Sequence, residues 1–339
     1  MRHWYLTAPR TASLIDEPMP SPGPGEVLVR LAWTAISPGS NVHVWRTGSY
    51  RGDEWIENEE LLYMGSGVVD AVGPGVTTVA AGDRVVLSSG HQEFVVVPET
   101  GVRRVPDGLS LRDAAVSYLP SWSVSVLHLG RYQAAETVVV IGQGLVGASA
   151  ALIAELNGAR VLGLDVDATR VELARGLGIG HAASPRDETD VAAYLGTNGP
   201  DLIIETTGAW GGFRQAIALA RDFTRIAIMG IYRQPPPPDL GLEIFGSLFS
   251  FPAKFNYKRL EIIGCGGDPA VVTPPAPRLA TTGSNWDYTL EQAARGRLPL
   301  GRLVTDVLPP ADIADALERL ASGDTSMLGV VFDWGVEAS

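Results

Sequence analysis

Thr137-Val138-Val139-Val140-Ile141-Gly142-Gln143-Gly144-Leu145-Val146-Gly147 is the stretch on which the fold turns. Its first five residues read as a strand buried on both faces, since such strands are continuous apolar runs. An Ala-rich segment, 148 to 157, reads as the helix that follows. Between them, Gly142 permits a tight turn, Gly144 lets the backbone approach a diphosphate, and Gly147 allows helix and strand to pack closely. Leu145 and Val146 then open a helix whose free N-H groups and partial positive charge suit an anion. A Gly-x-Gly-x-x-Gly alone is weak evidence; the strand, the helix and a downstream acid strengthen it. Asp165 ends the next apolar run, Val161-Leu162-Gly163-Leu164, 18 residues beyond Gly147. An acid there hydrogen-bonds the adenosine ribose and repels a 2'-phosphate, favouring NAD over NADP, although Arg170 nearby keeps NADP open. Thr207 and Gly230 complete the expected cofactor contacts.

Working outward, apolar strands at 137 to 141, 160 to 164, 201 to 205, 225 to 229 and 260 to 264 alternate with helical segments. That pattern predicts a doubly wound parallel sheet. The first hundred residues differ: short β-rich runs such as Val27-Leu28-Val29-Arg30-Leu31, Arg84-Val85-Val86-Leu87 and Phe94-Val95-Val96-Val97 lie between Gly/Pro turns, as in a compact all-β unit. After 267 come a Pro-rich loop, a helix near 287 to 295, strands at 303 to 307 and 328 to 333, and a helix at 311 to 321. This tail is too short for a third domain and is expected to rejoin the β unit.

A chain of 339 residues exceeds the usual single core. A net charge of -12 argues against a nucleic-acid partner, which needs clustered Lys and Arg. No apolar stretch approaches bilayer length and the N-terminus lacks the long apolar core of a secretory signal, so a cytoplasmic enzyme without membrane partners is expected. Cys265 is the single cysteine, which excludes an intrachain disulfide and a multi-thiolate zinc cluster; its apolar setting suits a core thiol.

Several stretches together resemble the medium-chain dehydrogenase/reductase superfamily over nearly the whole chain. They are Pro22-Gly23-Pro24-Gly25-Glu26-Val27-Leu28-Val29, the run from Gly75 to Val85, Asp165 to Ala174, and Asp201-Leu202-Ile203-Ile204-Glu205-Thr206-Thr207-Gly208. The resemblance implies an α/β protein: a GroES-like β-rich catalytic domain, residues 1–120 and 268–339, and a Rossmann domain, residues 121–267. It also implies a small-molecule substrate and a homodimer joined through the strand at 260 to 264. Alcohol dehydrogenases of the superfamily usually carry catalytic zinc. At the positions that resemble its ligands this chain has Pro38, Tyr63 with Met64 beside it, and the neighbourhood of Leu119 and Pro120. No metal site is therefore expected.

Without zinc, another group must handle the hydroxyl proton as hydride leaves. Ser40 and His43 match the family's proton-shuttling Ser/Thr and His, and their spacing places them on one helix face. His43 is either a general base, worth about a hundred- to ten-thousandfold in rate, or a surface remnant. Tyr63 either donates to a substrate oxygen or fills the space zinc would occupy. Ser37 and Asn41 are further polar candidates for substrate contact. His91 and His128 read as structural, Ser121 and Ser123 flank Trp122 near the expected nicotinamide pocket, and Lys254 with Tyr257 reads as a solvated loop. The leading reading is a zinc-independent, NAD-dependent dehydrogenase interconverting a secondary alcohol and a ketone on a polar ring. NAD(P)H-dependent quinone or enone reduction is the alternative, and a non-catalytic dinucleotide-binding protein the third.

Overall fold

The computed structural model describes residues 1–50, 59–266 and 281–336. By contact, the chain divides into residues 1–119 with 286–339, and residues 120–285. The second crossing thus lies at Asn285/Trp286, later than the expected 267/268. Asn285 is held in the second unit because its amide donates to the Ser125 hydroxyl at 2.8 Å.

The first unit opens with β1 (Arg2–Ala8), β2 (Thr11–Asp16), β3 (Glu26–Ala35), α1 (Pro38–Thr47), β4 (Glu59–Glu60), β5 (Met64–Val72), β6 (Arg84–Leu87), β7 (Phe94–Pro98) and β8 (Val102–Arg104). Strands β2, β1 and β4 form a small sheet. The long strand β3 pairs antiparallel with both β5 and β7. Its alternate residues Val27, Val29 and Leu31 are fully buried with Val69, Val85 and Leu87, the period-two pattern of a sheet curled over its own core. Gly67 lets β5 come close: a Cβ there would lie 2.2 Å from the Arg30 carbonyl oxygen, beside a register shift between Leu31 and Trp33. Helix α2 (Leu111–Ala115) is capped by the Ser110 hydroxyl, and α3 (Tyr118–Leu129) follows.

The second unit is the expected alternation: β9 (Thr137–Ile141), α4 (Leu145–Leu156), β10 (Arg160–Leu164), α5 (Ala168–Leu177), β11 (Ala182–Ala183), α6 (Glu188–Leu195), β12 (Leu202–Glu205), α7 (Trp210–Leu219), β13 (Arg225–Ile228), α8 (Pro238–Phe249), α9 (Lys254–Tyr257) and β14 (Glu261–Gly264). Every strand pair is parallel, in the order β11-β10-β9-β12-β13-β14. This is the Rossmann order, which reverses direction between β9 and β12 and opens a crevice at their carboxyl ends. Val139, Leu162, Ile203 and Ile226 are all fully buried, as continuous apolar strands between two helical layers must be. Helix α10 (Thr282–Ala294) and α11 (Leu300–Leu303) return the chain to the first unit. There β15 (Val304–Leu308), α12 (Ile313–Ala321) and β16 (Gly329–Asp333) extend the large sheet to β15-β16-β3-β5-β6-β8. Among the described residues no helix is long and apolar enough to cross a membrane.

Candidate active site

The glycines after β9 do different physical work. Gly142 has φ +92°, and a Cβ on it would lie 2.7 Å from the Thr207 methyl group. A Cβ on Gly147 would lie 1.8 Å from the Gly142 carbonyl oxygen, so the first turn of α4 can press against the strand end only with hydrogen there. Gly144 caps α4 in an extended conformation, and a Cβ on it would meet nothing within 4 Å. The open face at Gly144 is where a ligand backbone can approach, and the first N-H groups of α4 have no partner within the helix. Leu145 is 3% exposed, so it offers its backbone rather than its side chain, and the Val146 carbonyl accepts from the Ser123 hydroxyl at 3.1 Å. Ser121 and Ser123 are buried. Ser123 braces the turn from behind.

Asp165 is half-buried at the carboxyl end of β10. One carboxylate oxygen accepts the Gln143 N-H at 2.7 Å and the other the Asp167 N-H at 2.9 Å. Asp165 is thereby locked to the glycine turn. A carboxylate has about four acceptor positions, so each oxygen keeps one for a diol. Asp167 caps α5, accepting from Thr169 N-H at 2.8 Å and Arg170 N-H at 3.2 Å, so Arg170 sits in the first turn of that helix. Thr207 follows the buried end of β12, and Gly230 follows β13; a Cβ on Gly230 would lie 2.1 Å from the Gly208 nitrogen. Gly142, Gly147, Thr207 and Gly230 therefore gather at the switch point, as their positions at strand ends require. These residues fit a dinucleotide: an open glycine face, free helix N-H groups and a fixed acid.

In the first unit, Ser37 precedes α1 with no side-chain cap and Pro38 takes the first helical turn, where its missing N-H costs nothing. Ser40 and His43 lie on α1, both half-buried; His43 Nε2 is 3.4 Å from the Thr47 hydroxyl one turn on. Asn41 is not available to a substrate. It is fully buried, its carbonyl accepts Ser37 N-H at 2.7 Å, and its amide donates to the Tyr50 hydroxyl at 2.8 Å and the Leu62 carbonyl at 2.7 Å. With all its polar atoms used, Asn41 fastens α1 to the segment that carries Tyr63. Tyr63 is half-buried, its ring 5.8 Å from that of Tyr118, which lies 4.9 Å from Trp286. Trp286 Nε1 donates to the Ser117 hydroxyl at 2.7 Å, fixing this aromatic row. The row was not legible in sequence because its members are more than fifty positions apart.

At the positions that resemble the family's zinc ligands, Pro38 has no donor atom, and Tyr63, Leu119 and Pro120 supply neither thiolate, imidazole nor carboxylate. Among the described residues no three His, Cys, Asp or Glu side chains cluster. These residues do not fit the usual zinc set.

His91 is buried, with Nδ1 2.7 Å from the Thr34 hydroxyl; burial, then the charge of His3, lowers its pKa to about 3. His128 lies on the exposed side of α3 rather than in the core, and the burial it does have lowers its pKa. Lys254 donates to the Ile217 carbonyl at 2.8 Å, closing the end of α7, and burial followed by the nearby Lys258 and Arg221 lowers its pKa. Cys265 is 2% exposed and burial raises its thiol to about 12, which leaves it inert.

A GroES-like β-rich unit joined to a Rossmann unit with this turn defines an alcohol dehydrogenase-like oxidoreductase. Residues 23–107 match the family model described as alcohol dehydrogenase GroES-like domain, and residues 146–267 the one described as zinc-binding dehydrogenase. An L-threonine 3-dehydrogenase of Rhizobium johnstonii is 30% identical, covering 94% of this chain and 93% of its own. Among solved structures, galactitol-1-phosphate dehydrogenase from Escherichia coli aligns with a TM-score of 0.79 at 20% identity, covering 98% of this chain and 100% of the other. Alcohol dehydrogenase from Thermus sp. ATN1 aligns at 0.77 and 22% identity, covering 98% and 99%. The chain belongs to the medium-chain, alcohol dehydrogenase-like dehydrogenase/reductase superfamily, whose members are NAD(P)-dependent and usually use zinc.

Proposed function

We propose that this chain is a zinc-independent, NAD-dependent dehydrogenase that interconverts a secondary alcohol and a ketone on a polar ring such as a sugar, a cyclitol or a biosynthetic intermediate. The observation that carries the reading is Asp165, held at the carboxyl end of β10 by Gln143 and Asp167 N-H groups with an acceptor position left on each oxygen. That arrangement suits the two ribose hydroxyls and places a negative charge against a 2'-phosphate. When bound, the dinucleotide supplies a hydride acceptor. The chain's own task is the hydroxyl proton: Ser40 relays it to His43 as the carbon-oxygen double bond forms, and Tyr63 donates a hydrogen bond to the developing oxygen charge. Two of the relatives named above, L-threonine 3-dehydrogenase and galactitol-1-phosphate dehydrogenase, bear the names of a secondary alcohol and a polyol phosphate, which supports this substrate class. Pro38 and Tyr63, at the positions that resemble the family's zinc ligands, support proton handling by side chains instead.

The test is turnover of cyclic polyols, sugars and L-threonine with NAD and NADP, and of quinones and enones with NADH and NADPH, each with and without chelator. Oxidation of a polyol with NAD, unchanged by EDTA, is expected. Activity abolished by EDTA and restored by zinc would overturn the metal-free reading. NADPH-driven quinone reduction without alcohol oxidation would replace it with the enone chemistry of other zinc-free members.

A homodimer joined along β14 belongs to the same proposal. This edge strand of the parallel sheet has an exposed face, Ile262 being 39% exposed, and unpaired edges invite pairing. Light scattering on the wild type and on Ile262→Lys tests it, with dissociation expected in the variant.

A further inference from the structure

Glu205, the last residue of β12, has its side chain fully buried at the middle of the Rossmann sheet. Its carboxylate oxygens accept from neutral donors: Thr207 N-H at 2.7 Å, the Thr207 hydroxyl, Gly208 N-H at 3.4 Å and the Tyr232 hydroxyl at 2.6 Å. The chain leaves room for the carboxylate by glycine, since a Cβ on Gly212 or Gly230 would lie 2.7 Å from one of its oxygens. The Glu205 carbonyl meanwhile accepts Met229 N-H at 2.9 Å and Gly230 N-H at 3.0 Å. One residue thus pins both turns at the ends of β12 and β13.

Those turns touch backbone to backbone: a Cβ on Gly208 would lie 2.5 Å from the Ile231 carbonyl oxygen. Tyr232 reaches back from the second turn, its ring packed 4.6 Å from Trp210 and 6.3 Å from Phe213, so the hydroxyl is aimed rather than free to rotate away. In a sheet of this order, the half beginning at β9 takes the adenosine side of a dinucleotide and the half beginning at β12 takes the other mononucleotide. Asp165 belongs to the first half, and the Glu205 pin to the second.

We propose that Glu205 and Tyr232 are a positioning pair for the nicotinamide half of the cofactor. They fix the Thr207-Gly208 and Gly230-Ile231 turns as the floor on which that half rests, and this inference rests on the dinucleotide reading above. The Tyr232-Glu205 hydrogen bond ties the second turn to the end of β12, and losing it frees that turn while leaving the adenosine side untouched.

The experiment compares ADP, which reports the adenosine and diphosphate side, with NADH, which reports both halves, on the full chain. ADP affinity is measured by calorimetry and NADH affinity by its fluorescence. In Tyr232→Phe, which keeps the aromatic packing, ADP affinity is expected within about twofold of wild type and NADH affinity about tenfold weaker, one hydrogen bond's worth. Glu205→Gln is expected to show the same split and decides the matter if Tyr232→Phe folds poorly. Equal losses for ADP and NADH, or no loss for either, would overturn the pair's role. Failure of the wild type to bind either nucleotide would instead sink the cofactor reading itself, and is seen before any variant is made.

Discussion

The glycine turn at 142 to 147 and the α1-Tyr63 segment are built on opposite principles. The turn works through backbone: Gly142, Gly144 and Gly147 are defined by where a Cβ cannot go or must not obstruct. The α1 segment works through side chains, with Ser40 and His43 half-buried on a helix and Asn41 wholly consumed in holding that helix to Leu62. The difference teaches that a backbone site tolerates almost no substitution yet can be read from a short motif. A side-chain site depends on which polar atoms the packing leaves over, as Asn41 shows, and no short motif records that.

The sharpest way to break the comparison is inside the turn itself. Gly147→Ala places a methyl group 1.8 Å from the Gly142 oxygen, and should cost about 3 kcal/mol or more of stability and abolish dinucleotide binding. Gly144→Ala, with open space around it, should leave stability within about 0.5 kcal/mol while weakening the dinucleotide about tenfold. Urea titration beside calorimetry separates the two; equal destabilisation by both substitutions would show that Gly144 serves the fold.

Acid should strike the two units unequally. His91 stays neutral in the fold down to about pH 3, whereas in the unfolded chain it takes up a proton near 6.5. Between those values unfolding binds a proton, so stability falls as pH drops through the window, by several kcal/mol in all, and levels off below 3. Hydrogen exchange from pH 7 to 4 should show β3 amides losing protection before those of β9. A pH-independent β3 would remove His91 as the cause, and His91→Gln should flatten the trend.

Smaller effects sharpen the side-chain half. His43→Ala should lower kcat about a hundredfold with little change in NAD affinity. Asp165→Asn should raise the NADP-to-NAD ratio of kcat/KM about tenfold or more by removing a like charge. Tyr63→Phe should reduce kcat about tenfold, the loss of one hydrogen bond to developing charge; an unchanged kcat would leave the ring as packing against Tyr118.

The Rossmann strands were legible almost residue by residue because burial on both faces forces continuous apolar runs, and β9 and β10 fall at the expected bounds. The short pairings were not: β1 with β2 and β4 in the small sheet, and β8 with β6 in the large one, depend on partners distant in the chain rather than on their own pattern. In the site, the glycines and Asp165 stood out by spacing, whereas Asn41 read as a substrate contact and proved a brace. Glu205 and Tyr232 were passed over although an acid closing the apolar run Leu202-Ile203-Ile204 was a visible signal, since such an acid is expected in water rather than beneath a turn.

By itself, then, the amino-acid sequence determined the parallel sheet and the glycine turn with its acid. Period, spacing and side-chain chemistry are local properties, and they survive without coordinates. Only the tertiary structure decided which polar residues are spent: Asn41 on Ser37, Tyr50 and Leu62, Glu205 on two turns and Tyr232, Asp165 partly on Gln143 and Asp167. A hydrogen bond joins residues distant along the chain, and every donor or acceptor satisfied inside the fold is one fewer for a ligand, so availability is a property of the packed molecule alone.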